Sequence, residues 1–336
     1  MARRPSIPLV LTIAVAIAGC SASQEGAAHA GDVAVAARNP LAAKTFYLDP
    51  ADPAAAQARQ WRQSGRTQDA DAMLELARQP TAEWLTGTPD DAARVRATTL
   101  AAARAHETPV LAAYNIPNRD CGQFSAGGAD SGRSYRNWVV GLARAIGSHS
   151  AVVIVEPDAL AQAASGCLSK AATLDRYRLL RFAVDTLAAL PRTAVYLDAG
   201  NAGWINPVAR LVRPLRLAGI GKANGFALNV SNFYTTAQSV GYGRALSARV
   251  GGKHFVIDTS RNGNGPYTGN DGAPSWCNPP GRAIGQRPTA RTGNRLVDAF
   301  LWIKVPGESD GACRPGAPAA GQWWPDYALS LVRAAG

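Results

Sequence analysis

The chain has 336 residues, 47% of them apolar and 18% charged, with a formal net charge of +11. That is enough apolar material for one large α/β domain or two modest ones. The positive excess does not make a nucleic-acid binder, because no Lys/Arg run exceeds two neighbours and no helix-turn-helix or zinc-finger spacing occurs. With 4 His and dispersed Cys, a His/Cys metal site is not expected either.

Residues 1–20 read as a targeting segment. Arg3 and Arg4 form a positive start, and residues 7–18 form an apolar stretch too short for a spanning helix. Ile17-Ala18-Gly19-Cys20 resembles a bacterial lipobox, which would make Cys20 an acylated mature N-terminus. An ordinary cleaved signal with a Cys at its boundary is the alternative. Residues 21–38 are small and polar and read as a flexible tether, which leaves a single domain over 39–336. The protein is therefore expected to be exported, either anchored by lipid at the cell surface or released. Export makes two disulfides plausible among Cys121, Cys167, Cys277 and Cys313. Four cysteines permit three pairings, and Cys121–Cys167 with Cys277–Cys313 is topologically the cheapest.

From residue 39 onward, β-branched and aromatic runs alternate with Ala/Leu/Arg-rich stretches of helical period. Strands are predicted at 45–49, 110–115, 151–156, 193–198, 225–230, 254–258 and 299–304. Helices are predicted at 54–63, 69–79, 91–107, 134–148, 172–189, 208–217 and 236–249. Pro207 suits the first turn of its helix, and Pro191 ends the preceding one. The strands show little alternation, so both faces should be buried, as in a parallel sheet covered by helices. The fold class is α/β, and seven strands suggest a (β/α) barrel with one strand fewer than usual. No Gly-x-Gly-x-x-Gly follows a strand, which disfavours a dinucleotide site.

Carboxylates recur where those strands end: Asp120, Glu156 with Asp158, Asp198, Asp258, and Glu308 with Asp310. Acidic residues rarely sit beside apolar strands unless something uses them. The C-terminal strand ends of a barrel are where its chemistry lies, so the pattern reads as an acidic mouth suited to acid/base hydrolysis. An N-cap or loop salt bridge is the other reading of any one of them, and it weighs most for Asp258.

Seven segments carry a resemblance: YNIPNRDCG (114–122), VIVEPDALA (153–161), VYLDAG with GW (195–204), GFALNVSNF (225–233), FVIDTSRNG (255–263), WCNPPGRAIG (276–285) and LWIKVPGESDG (301–311). In order and nearly end to end, they resemble glycoside hydrolase family 6, the endoglucanases and cellobiohydrolases of β-1,4-glucans. The resemblance implies a distorted, incomplete (β/α) barrel, the sequential disulfides, hydrolysis with inversion, and no cofactor or metal. It casts Asp158 as general acid and Asp120 as the neighbour that raises its pKa and helps to order water. Asp310 is cast as general base and Asp198 as a supporting carboxylate. An acid must stay protonated near working pH, and nearby negative charge achieves that.

By the same resemblance, Trp84, Trp204 and Trp276 are sugar-stacking platforms, whereas Trp302, inside a strand, is core. Lys304 and Glu308 match residues that bond sugar hydroxyls, and Tyr114 one beside the distorted ring. Asn229, Asn232 and Arg261 are expected as polar lining. Ser125, Gly127 and Gly128 match a mobile loop whose Ser holds water. The chain departs from the family at Asn201, where His is common. Short spans between the paired cysteines leave little chain to roof a tunnel, so an open-cleft endoglucanase is expected. An exo-acting cellobiohydrolase and a non-catalytic surface glucan-binding protein are the alternatives. The expected partner is a β-1,4-glucan, bound by a monomer whose only membrane link is lipid.

Overall fold

The computed structural model describes residues 39–336, together with 1–2 and 8–9. The expectations for the leader, for Cys20 and for the tether fall outside this description. One compact unit spans Ala37–Gly336.

Among the described residues, seven strands pair in parallel and in chain order: β1 (Glu83–Leu85), β2 (Val110–Ala113), β3 (Ala151–Val155), β4 (Thr193–Asp198), β5 (Gly225–Leu228), β6 (His254–Asp258) and β7 (Val297–Leu301). The sheet curls until its edges touch at one point. Thr81 bridges Trp302, Ala82 N donates to Trp302 O at 3.0 Å, and Trp84 Nε1 donates to Ile303 O at 2.8 Å. No ladder joins β1 to β7 among the described residues, so the barrel is distorted and incomplete.

Both strand faces are buried, which is why the sequence shows no polar alternation. Val153 and Val155 of β3 point outward to Val139 and Leu142 of α4 (Gly132–Ile146) and to Leu180 and Val184 of α6 (Lys170–Leu187). Val152 and Ile154 point inward to Ala112, Tyr196, Val256 and Leu301. Each such buried aliphatic side chain stabilises the fold by about 1.5–3 kcal/mol. Small inward residues, Ala112, Ala194, Ala227 and Ala299, leave room for Tyr196, whose hydroxyl donates to Asp298 at 2.7 Å.

The helices start where local chemistry starts them. Ser131 caps α4 by accepting from Ser134 N, Ser169 caps α6 through Ala172 N, and Thr235 with Gln238 forms a capping box on α8 (Thr236–Ser247). Asp52 caps α1 (Pro53–Gln63), whose Pro occupies the first position. α2 (Thr67–Ala77) and α3 (Asp91–Arg104) start close to their predicted positions.

Four local expectations need correction. Segment 45–49 is not a strand: Phe46 makes one isolated bridge to Thr108, and the turn at 50–51 leads straight into α1. The seventh strand is instead β1, three residues of which only Leu85 is fully buried. The last strand lies earlier than 299–304, at Val297–Leu301. Two helices were not anticipated, α5 (Ala159–Ser165) directly after β3 and α9 (Pro325–Arg333). The predicted helix at 208–217 is a 3-10 turn, Val208–Leu211, running into α7 (Val212–Leu217).

Candidate active site

The loops that follow the strands hold their backbones in unusual conformations. Among the described residues, every non-glycine residue with positive φ except His106 lies there: Asn118, Asp120, Cys121, Glu156, Asp158, Asn229, Ser231 and Asn278. A left-handed residue costs about 1–2 kcal/mol and persists only where surrounding bonds impose it. After β3 the two carboxylates flanking Pro157 are both of this kind, Glu156 at φ 49° and Asp158 at φ 68°.

The bonds that impose the turn are on hand. Glu156 is fully buried, and its Oε2 accepts from Asn115 N and Ile116 N, each at 3.0 Å. It thereby clamps the loop that leaves β2. Burial pushes its carboxyl up to about 7, against those two hydrogen bonds. Asp158 N donates to Asp198 Oδ1 at 2.9 Å, and Gly200 N joins the same oxygen at 3.1 Å. Asp198 is buried behind Asp158, and its Oδ2 has no partner among the described residues.

Asp158 therefore stands at the cleft floor with its backbone tied to one carboxylate and its side chain facing others. Burial first, then the charges of Asp198, Asp120 and Asp310, hold its carboxyl well above the ordinary carboxylate range. Asp120 opens the turn after the β2 loop. Its Oδ2 accepts from Ser125 N at 2.8 Å and its Oδ1 from Gln162 Nε2 at 3.0 Å. Burial raises its pKa, while those bonds and Arg119 oppose the rise.

Asp310 is held differently. Its Oδ2 accepts from Arg261 Nη1 at 2.8 Å and Asn278 N at 3.0 Å, and its Oδ1 lies 4.0 Å from Lys304 Nζ. A guanidinium and a backbone amide thus occupy one oxygen and leave the other accessible. Lys304 is also 3.8 Å from Glu308, whose carboxyl is raised by burial with Lys304 opposing.

Asp120, Asp158, Lys304, Glu308 and Asp310 line a cleft of about 900 Å³, together with Trp84, Tyr114, Ser125, Asn201, Trp204, Asn232 and Trp276. The Trp84 and Tyr114 rings meet edge to face at 5.1 Å, and the Arg119 guanidinium lies 4.7 Å over the Tyr114 ring. Burial, with the negative charges of Asp158 and Asp120, drives the Tyr114 hydroxyl up, so it stays a neutral donor. The disulfides pair Cys121 with Cys167 and Cys277 with Cys313, one beside Asp120 and the other beside Asn278.

Asp198, Asn229 and Arg261 do not reach the cleft. Asn229 is fully buried: its Oδ1 accepts from Tyr234 N at 3.1 Å and its Nδ2 donates to Asp258 O at 2.9 Å. It organises the loop after β5, which corrects its reading as a sugar ligand. Arg261 is likewise buried, packed 4.4 Å over Phe233 and bonded to Asp310. Asp258 spends both oxygens on backbone N–H groups of Ser231, Ser260 and Lys304, so its architectural reading holds. Trp302 is buried, with Nε1 donating to Gln286 O. Sequence reasoning did not find Phe124, Gln162, Phe233 or Gln322 in the cleft lining. Of these only Gln162, one turn beyond Asp158 on α5, carried a positional signal.

Carboxylates at the open end of a barrel, one of them pushed up by burial and by its neighbours, between indole faces, equip a protein to cleave glycosidic bonds by acid/base chemistry. The chain belongs to the family described as Glycosyl hydrolases family 6, whose model matches residues 41–335. It is 45% identical over 293 residues to Endoglucanase A of Cellulomonas fimi, which covers 86% of this chain but 61% of that relative. It is 43% identical over 297 residues to Endoglucanase 1 of Streptomyces halstedii, covering 85% and 88%. Among solved structures, it superimposes with a TM-score of 0.83 and 45% identity on the endoglucanase Cel6 from Mycobacterium tuberculosis in complex with methyl-cellobiosyl-4-deoxy-4-thio-β-D-cellobioside, over 89% of this chain and 99% of that one.

Proposed function

We propose that this chain is an inverting endo-β-1,4-glucanase. The observation that carries the reading is the placement of Asp158 at the cleft floor, its backbone N–H on Asp198 and its carboxyl sharing the cleft with Asp120 and Asp310, surroundings that push that carboxyl up. Asp158 gives its proton to the glycosidic oxygen as the bond to the anomeric carbon breaks. A water attacks that carbon from the opposite face and loses its proton to Asp310 through Oδ1, the oxygen left free by Arg261 and Asn278. Inverting carboxyl pairs stand about 6.5–9.5 Å apart so that a water fits between. Asp120 keeps negative charge near Asp158, and Asp198 fixes the Asp158 backbone.

The half-buried indoles of Trp84, Trp204 and Trp276 offer flat apolar faces to sugar rings. Lys304 and Glu308 offer a donor and an acceptor for hydroxyls. The cellobioside-derived ligand of the Mycobacterium tuberculosis relative supports a β-1,4-linked glucan as partner. The reading extends to a monomeric catalytic domain over 39–336, exported and tethered to the membrane through acylated Cys20. Labelled palmitate should enter the protein but not its Cys20→Ala variant.

A cellobiohydrolase reading is favoured by two contacts of Phe124. Phe124 meets Trp276 edge to face at 6.1 Å, and a Cβ on Gly311 would lie 2.4 Å from Phe124 Cβ. The loops after β2 and β7 therefore touch. Viscosity and reducing ends, followed together on carboxymethylcellulose, separate the modes. Fast viscosity loss with mixed oligosaccharides supports the endo reading; cellobiose alone with viscosity retained overturns it. Proton NMR of the first product should show the α-anomer.

A further inference from the structure

Arg176 on α6 is a buried cation, 2% exposed, with no carboxylate in ion-pair range among the described residues. Its guanidinium instead collects oxygens from two segments of the site. Nη2 donates to Pro117 O at 3.0 Å and Asn118 O at 2.7 Å, both in the loop that leads into Asp120. Nη1 donates to Ala159 O and to Gln162 Oε1, each at 3.4 Å, on the helix that follows Asp158. A guanidinium has donors only, so Gln162 must turn its oxygen toward Arg176. Its Nε2 then faces the other way, where it donates to Asp120 Oδ1 at 3.0 Å. The amide orientation is thus fixed by chemistry.

We propose that Gln162 and Arg176 are positioning residues of the reaction: Arg176 sets the Gln162 amide, and the Gln162 N–H holds Asp120 as an aimed, ionised neighbour of Asp158. This rests on the reading of Asp158 as general acid. Asp120 is otherwise faced by Arg119 from its own loop, by Tyr114 at the end of β2, and by Asp158 from the turn after β3. Glu156 lies beneath, facing Arg119 and Arg176, and Asp310 faces Asp158 from the loop after β7. A hydrogen bond donated to a carboxylate favours its charged form. Gln162 is the neutral member of this set. Replacing it changes no net charge, and its own effect can be isolated.

Gln162→Met keeps the side-chain length and the apolar packing but removes the donor. Asp120 should then bind a proton at higher pH; turnover needs Asp120 in its charged form as well as the base Asp310, so the acid limb of kcat/KM against pH should rise by up to about one unit. The alkaline limb, which reports proton loss from Asp158 while Asp120 is already charged, should stay. Arg176→Lys keeps the charge but not the fork and should move the same limb the same way. A profile lowered uniformly with both limbs in place, or a rise in KM alone, overturns the proposal, because loss of structure or of a sugar contact gives those results. Asp158→Asn is measured alongside. If it retains turnover, the acid reading has failed. If it is inactive while the Gln162→Met limbs coincide with those of the unaltered protein, only the present inference has failed.

Discussion

Glu156→Gln isolates the cost of burying a charge beneath the active site. Glu156 is fully buried and its carboxyl is raised from 4.5 to about 7. The folded chain therefore holds this proton where the unfolded chain has released it. The group costs no stability below its unfolded pKa; the cost grows as pH rises from about 4.5 to about 7 and is complete above that. A shift of that size corresponds to about 3 kcal/mol. Gln has the same shape, and one oxygen already accepts from both Asn115 N and Ile116 N, so the clamp on the β2 loop survives. Urea unfolding of both proteins at pH 4.5 and pH 8 gives a double difference in which other titrating groups cancel. The variant should gain about 3 kcal/mol relative to the unaltered protein between those pH values. A double difference near zero would refute the argument and mean that the hydrogen bonds from Asn115 and Ile116 offset the cost of burying the charge.

Asp198→Asn keeps an oxygen for Asp158 N and Gly200 N but removes one of the charges that raise Asp158. The alkaline limb of kcat/KM should move down by about one pH unit or more, the two carboxyls titrating as a pair; an unmoved limb would show that the Asp198 charge does not set the acid. Replacing Cys277 and Cys313 with Ser opens a loop of sequence separation 36. It should cost about 3–4 kcal/mol in chemical unfolding on chain-entropy grounds, and a loss below about 1 kcal/mol would mean that the loop is held by its hydrogen bonds instead.

The acidic mouth was legible because an apolar run ending in Glu156-Pro157-Asp158 has only one place to satisfy its carboxylates, the open end of a sheet. Asp120, Asp198 and Asp310 follow the same logic, although Asp198 proves to lie behind the cleft wall. Less legible were elements too short for periodicity: β1 has three residues, and α5 begins on the residue after Asp158. Segment 45–49 misled because β-branched and aromatic residues mark burial, and Phe46 is buried without being laddered. Asn229 and Arg261 look like ligands in one dimension. In three they serve backbone groups and Asp310, and composition cannot tell a polar residue facing sugar from one facing a carbonyl. Arg176 was invisible for a related reason, since an Arg within a run of helical Arg residues reads as solvated surface.

The central claim is that Asp158 supplies the proton to the departing sugar, and the leaving group tests it directly. Asp158→Asn should lose about 10²–10⁴-fold in turnover on a β-1,4-glucan, whose leaving alkoxide needs a proton. On an aryl cellobioside whose dinitrophenolate leaves unprotonated, the loss should be less than about tenfold. Equal losses on the two substrates, or full turnover on the glucan, would contradict the account.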